Sequence, residues 1–184
     1  MTLLKIARMG HPVLGGRADE VPDPTAPEIK RLVADMIETM HDANGVGLAA
    51  PQVHMPLRVV VFFAPDERAP GDAPPAEHGL HTAPLTVLIN PEVEILDDSQ
   101  EPLWEGCLSI PGLRGEVHRA THLRYRGYDS DGKEIAREAK GFHARVVQHE
   151  FDHIEGRLYP TRMRDMKRFL FESEAQHWLK KEQT

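Results

Sequence analysis

The segment His149-Glu150-Phe151-Asp152-His153 constrains this chain more than any other. On an α-helix, residues four apart share a face, so both imidazoles can reach one point in front of the helix. Val147, Phe151, Ile154 and Leu158 form an apolar stripe about 100° away from the histidine face. One side of the helix must therefore be covered by the rest of the chain while the other looks across a cleft. A lone histidine on a core helix is usually a satisfied structural group. A pair at four-residue spacing that encloses a glutamate points instead to a metal ion, with Glu150 placed beside a water as general base.

The elements that would cover this helix can be read on either side of it. Val21–Pro27 carries three prolines and reads as a loop, and Pro27 can open the helix that follows. That helix shows Ile29, Leu32, Val33, Met36, Ile37 and Met40 at core spacing and ends at Asn44-Gly45. Leu57–Phe63 reads as a buried strand, Leu85–Asn90 and Glu92–Leu96 as two more, and Ala64–Pro84 as a surface excursion. In His122–Asp129, Leu123 and Tyr125 alternate with Arg124 and Arg126, and Asp131-Gly132 turns into another short strand. Helices are expected over Gly141–Glu155 and over Asp165–Lys181, the latter anchored by Met166, Phe169, Leu170 and Trp178. The expected fold is α+β: mostly antiparallel strands around a buried HExxH helix, with an N-terminal and a C-terminal helix. At 184 residues the chain suits a single domain spanning 1–184.

Charge and hydropathy narrow the partners. A formal net charge of −7 argues against broad nucleic-acid binding, and no sequence-specific nucleic-acid partner is expected. Arg157, Arg162, Arg164, Lys167 and Arg168 read as a solvated face. No apolar stretch approaches the roughly 20 residues that span a bilayer, and Met1–Gly10 lacks the apolar run of a secretory signal. The expectation is a cytoplasmic protein, or one of an organelle matrix if a presequence has been removed.

A catalytic metal needs a third protein ligand and an open position. Zinc endopeptidases with this helix usually take it from downstream, where Glu155, Asp165, Glu172, Glu174, Glu182 and His177 are available. Upstream stands the only thiol, Cys107, in Glu105-Gly106-Cys107-Leu108-Ser109-Ile110-Pro111. With one cysteine there is no intrachain disulfide, and the plain reading of Cys107 is a small buried hydrophobe. A further motif, Gly45-Val46-Gly47-Leu48-Ala49-Ala50-Pro51-Gln52, lacks the Lys-Ser/Thr end of a phosphate loop. It is a tight turn, or a place where substrate backbone packs closely and Gln52 donates a hydrogen bond.

Taken together, GVGLAAPQ, EGCLSIP and QHEFDH resemble the three motifs of the peptide deformylases, in the family's order and with similar separations. The resemblance runs from about Leu3 to Arg168. Gly112–Glu116 and Gly141–Arg145 resemble the mitochondrial-like branch, which also occurs in bacteria. It implies an enzyme that removes the formyl group from the N-terminal formylmethionine of nascent polypeptides and releases formate. It implies metal ligands Cys107, His149 and His153 around one Fe²⁺, which Zn²⁺, Ni²⁺ or Co²⁺ can replace. Glu150 would be the proton carrier, and the Gln52 amide and the Leu108 backbone N–H would stabilise the developing oxyanion. Substrate would lie against Val46, Gly47, Gly106 and Arg114, its methionine side chain near Phe142, Val146 and the stem of Arg145, although Arg145 also reads as a plain surface charge. Asp152 would pair with Arg119. The implied partners are formylmethionyl nascent peptides and the ribosome surface near the exit tunnel. Two rival readings are a zinc endopeptidase, which would cleave casein, and a non-catalytic metal-binding or ribosome-associated module, which would bind metal without releasing formate.

Overall fold

In the computed structural model, which describes residues 2–65, 78–175 and 177, the first long helix is Pro27–Asp42 (α1). Pro27 sits in its first turn, where a missing N–H has no intrahelical partner to lose. The helix closes where Asn44 adopts a left-handed φ of 53° and the Gly45 N–H donates to the Met40 carbonyl at 2.9 Å. Ile29, Val33, Met36 and Met40 are buried along one face. Met36 and Met40 are fully enclosed, and such burial contributes roughly 1.5–3 kcal/mol for each side chain.

After α1 come the strands Gly47–Ala49 (β1) and Val59–Ala64 (β2), the short helix His78–His81 (α2), and the strands Ala83–Cys107 (β3), Ile110–Tyr128 (β4) and Glu134–Lys140 (β5). Then follow the helix Gly141–Ile154 (α3) and a strand, Phe169–Phe171 (β6). The sheet order is β1-β2-β3-β4-β5, with β6 added to β4, and every pairing is antiparallel. Successive strand residues face opposite sides. Val59 and Val61 of β2 join the cluster around Met36 and Met40, while Val60 and Phe62 join the cluster around Ala144, Val147 and Ile154 of α3. Both faces of β2 are covered, which is why its sequence is apolar at every position. β4 alternates as its sequence suggests: Leu123 and Tyr125 are buried, and Arg124 and Arg126 reach Glu94, Glu138 and Glu92 on neighbouring strands.

Four features differ from the sequence expectations. The strands read over Leu85–Asn90 and Glu92–Leu96 are one strand, which shifts register between Ile89 and Glu92 and runs on to Cys107. Asn90 takes a φ of 51° at that shift, and its side chain both accepts from and donates to the Val21 backbone at 2.9 Å. Gly47–Ala49 is a strand rather than a turn. Leu158 lies beyond the end of α3 and packs with Tyr159 instead of on the helix stripe. Finally, Asp165–Phe171 is not helical. Asp165 caps a single 3₁₀ turn, β6 pairs with Leu113–Gly115, and helical residues begin only at Glu172. The later part of that expected helix, Trp178 included, lies outside the described residues, as do residues 66–77 of the excursion. The excursion leaves and re-enters the sheet at paired residues, Ala64 and Ala83.

His143 locks α3 into this frame. Its Nδ1–H donates to the Leu80 carbonyl at 3.0 Å, and its Nε2 accepts from the Tyr125 hydroxyl at 3.1 Å. Burial pushes its pKa down to about 4. In the unfolded chain the ring takes up a proton near pH 6.5. The unfolded state therefore binds the extra proton, and stability falls as pH drops from about 6.5 towards 4. Between pH 7 and pH 5 the native protein should lose about 2 kcal/mol more stability than a His143→Gln variant. Denaturant unfolding of both at the two pH values checks this, and parallel losses would exclude His143 as the source.

Candidate metal centre

The centre forms where the end of β3 meets the histidine face of α3. Cys107 is the last residue of β3, held there by the two-residue link Leu108-Ser109 that returns the chain into β4. His149 and His153 project from α3 one turn apart, with ring centroids 5.0 Å from each other. One ligand atom from each of Cys107, His149 and His153 lies within 4.8 Å of the others. Cys107 Sγ stands 3.3 Å from His153 Nε2.

Burial alone would raise the Cys107 thiol, but His153 and His149 pressed against it hold it well below the usual thiol range. Burial would likewise lower His149, yet the Cys107 sulfur and the Glu105 carboxylate hold it well above the ordinary imidazole range. A thiolate beside two imidazoles, with one side facing the cleft, is a donor set suited to a borderline-soft divalent cation that keeps an open position. The residues fit a metal ion.

A second layer of side chains fixes the ligands. Glu105 Oε2 accepts from His149 Nδ1 at 2.9 Å, which turns the other ring nitrogen towards the centre. The same carboxylate takes Arg119 through Nε at 2.9 Å and Nη2 at 3.0 Å, and Arg145 Nη1 at 2.8 Å. With these donors outweighing its burial, Glu105 stays ionised far below the usual carboxylate range. Arg119 also bonds Asp152, which in turn holds Arg162. The Arg119–Asp152 contact expected from the sequence is present and is one link in a longer chain of charges. Tyr159 lies nearly parallel to the His149 ring at 6.3 Å, and its hydroxyl donates to the Leu113 carbonyl at 3.2 Å.

Glu150 is buried against this centre, and its Oε2 has no hydrogen-bond partner among the described residues. Burial dominates over the two histidines and pushes its carboxyl up to about 7. Gly47 makes room for it: a Cβ on Gly47 would lie 2.2 Å from Glu150 Oε1 and 2.7 Å from its Cδ. Gly47→Ala should therefore fold and keep the metal ligands but displace the carboxylate, with activity falling towards that of a protein lacking Glu150. Elemental analysis together with turnover checks it, and near-native turnover would mean that the carboxylate's position is not critical.

Gln52 is oriented by its surroundings. Its Oε1 accepts from the Ala49 N–H at 2.9 Å, so its Nε2 must face Ser109 Oγ at 3.1 Å and Cys107 Sγ at 3.5 Å. The centre opens into a cleft of about 460 Å³. Val46, Gly47, Gln52, Gly106, Cys107, Leu108, Arg114, Phe142, Arg145, Val146, His149 and Glu150 all line it. His153 sits behind, 2% exposed. Arg145 is buried rather than a surface charge, and its guanidinium is taken up by Glu105, the Val117 carbonyl and the Glu101 carbonyl. The downstream third-ligand candidates are not part of the cluster among the described residues. Sequence reasoning missed Glu105, Ser109 and Tyr159. The one available signal was a carboxylate two residues before the lone thiol.

The chain is similar to known proteins over most of its length. The family model for polypeptide deformylase matches residues 3–169. Peptide deformylase 1 of Bordetella pertussis is 53% identical over 165 residues, covering 89% of each chain. Peptide deformylase 2 of Ralstonia nicotianae is 52% identical over 167 residues, covering 90% of each. The crystal structure of peptide deformylase from Ehrlichia chaffeensis superposes with a TM-score of 0.82 at 32% identity, covering 99% of this chain and 97% of that one. With a thiol and two helical imidazoles converging beside a buried glutamate, and with likeness to these proteins over nearly its whole length, this chain belongs to the polypeptide deformylase family.

Proposed function

We infer that this chain hydrolyses the N-terminal formamide of formylmethionyl nascent polypeptides, with Cys107, His149 and His153 as the metal ligands and Fe²⁺ as the resident ion, one per chain. The observation that carries this reading is the convergence of the three ligand atoms beside a buried Glu150 at the floor of a cleft. An ion held by Cys107, His149 and His153 would supply Lewis-acid chemistry, lowering the pKa of a water molecule and drawing charge from the formyl oxygen. The C–N bond of the formamide breaks, a C–O bond forms from water, and formate and a free α-amine leave. Glu150 takes the water's proton at its carboxylate and returns it to the departing nitrogen. The Nε2 of Gln52 and the backbone N–H of Leu108 donate to the formyl oxygen as it gains charge.

The peptide runs extended past Val46, Gly47 and Gly106, alongside β1, which among the described residues pairs only with β2. Phe142, Val146 and the stem of Arg145 receive the methionine side chain. No described helix is long and apolar enough to cross a membrane. The proposed setting is the cytoplasm, at the ribosome surface near the exit tunnel.

Formate release from formyl-Met-Ala-Ser, compared with acetate release from acetyl-Met-Ala-Ser, tests the reading. Formate alone is expected, because formyl is the smallest acyl group and the Glu150 carboxylate already fills the space directly against Gly47. Metal binding without either product would support the non-catalytic reading, and casein cleavage the endopeptidase. The metal is tested separately. Iron, nickel and zinc forms are prepared without oxygen and then exposed to air. The iron form should lose activity fastest, because O₂ reaches both ferrous iron and the Cys107 thiolate through the open cleft. An iron form as durable as nickel, or a zinc form faster than both, would count against Fe²⁺.

A further inference from the structure

Glu172 directly follows β6 and, like Arg114, lines the cleft. Its Oε1 accepts from Arg114 Nε at 3.0 Å and from Nη2 at 2.5 Å. The backbone sets this up: β6 lies against β4 with Leu170 opposite Arg114 and Phe171 opposite Leu113, which delivers the next residue to the Arg114 side chain. On its other flank the guanidinium lies against Gly106, where an added Cβ would meet Nε, Cζ and Nη1 at 3.5, 3.6 and 3.7 Å. Nη1 has no hydrogen-bond partner among the described residues. Arg114 thus stands between a carboxylate of its own chain and the wall along which the substrate runs. Both partners are half-exposed, with side chains 41% and 57% accessible, so their attraction is weak and an incoming carboxylate can replace one for the other. A guanidinium fork matches any carboxylate brought to it.

We propose that Glu172 is a specificity-determining residue: it occupies Arg114 in the free enzyme and competes for it with an acidic side chain of the substrate downstream of the formylmethionine. The proposal rests on the deformylase reading of the cleft. It makes the C-terminal segment a discriminator against nascent chains with Asp or Glu soon after the initiator methionine.

The test uses C-terminally amidated peptides, so that a side chain carries the only carboxylate. Formyl-Met-Glu-Ala and formyl-Met-Ala-Glu amides are each compared with their Gln counterparts. Glu172→Gln should lower KM for at least one Glu peptide about fivefold, with less than about a twofold change for its Gln counterpart and no change in kcat. High salt should erase the difference. Adding Arg114→Gln to Glu172→Gln should erase the gain for the Glu peptides, because no guanidinium is then left to receive their carboxylate. Equal changes for both members of a pair, or no change in either pair, would overturn the proposal. No formate from any peptide with the native protein would instead show the deformylase reading to be wrong, and this proposal with it.

Discussion

Replacing Glu150 by alanine is expected to leave the metal bound and to slow formate release by about 10²–10⁴-fold. Glu150 is not one of the three clustered ligand atoms, so their geometry does not depend on it. Its carboxylate is buried, one oxygen has no partner among the described residues, and Gly47 leaves space for it where any side chain would collide. A group held in this way is placed to exchange a proton with water and with the departing nitrogen. On the proposed role, removing it should take away proton transfer and little else. Elemental analysis alongside turnover separates the two effects: full metal content with near-native turnover would remove Glu150 from the mechanism.

Gln52→Leu is the second large effect. Its Nε2 is asked to serve an oxygen whose negative charge exists only on the way to product, so the loss should fall on kcat, by about 10²–10³, with KM little changed. The substitution also leaves the Ala49 N–H without its acceptor, which costs about 1–3 kcal/mol of stability. Denaturant unfolding measures that cost separately. Gln52→Glu keeps an acceptor for Ala49 while removing the amide donor, and it should be as slow as the leucine variant. A loss confined to KM would make Gln52 a ground-state binding group.

The parts of this account legible in the sequence are those governed by local periodicity. The α1 stripe, the doubly buried β2, the alternation at Leu123 to Arg126 and the one-turn spacing of His149 and His153 follow from side chains a few residues apart. What was not legible depends on distant partners. The strand expected to end at Leu96 runs on through Asp97 to Glu101 because β4 returns alongside, with Gln100 opposite Ala120 and Glu101 opposite Arg119. Pro91 and the left-handed Asn90 look like a strand break, but a register shift absorbs them within β3. Met166 to Phe171 has a helical pattern that gives way because Tyr159, Met163 and Ile110 offer Phe169 a packing site beside β4. The charged support behind His149 was hidden for the same reason. Arg119 was expected beside Asp152, but Glu105 and Arg145 are far from it in sequence and join it in one buried cluster only when β3, β4 and α3 come together.

The central claim is that a single metal ion held by Cys107, His149 and His153 runs the removal of the formyl group. The most direct measurement strips the metal from the protein, returns Fe²⁺ anaerobically in steps, and follows formate release from formyl-Met-Ala-Ser against the ion bound per chain. The account predicts no activity in the stripped protein and a linear rise to a plateau at one ion per chain, absent in Cys107→Ala. Formate release that persists without metal, or that returns in full with Cys107 replaced, would contradict it.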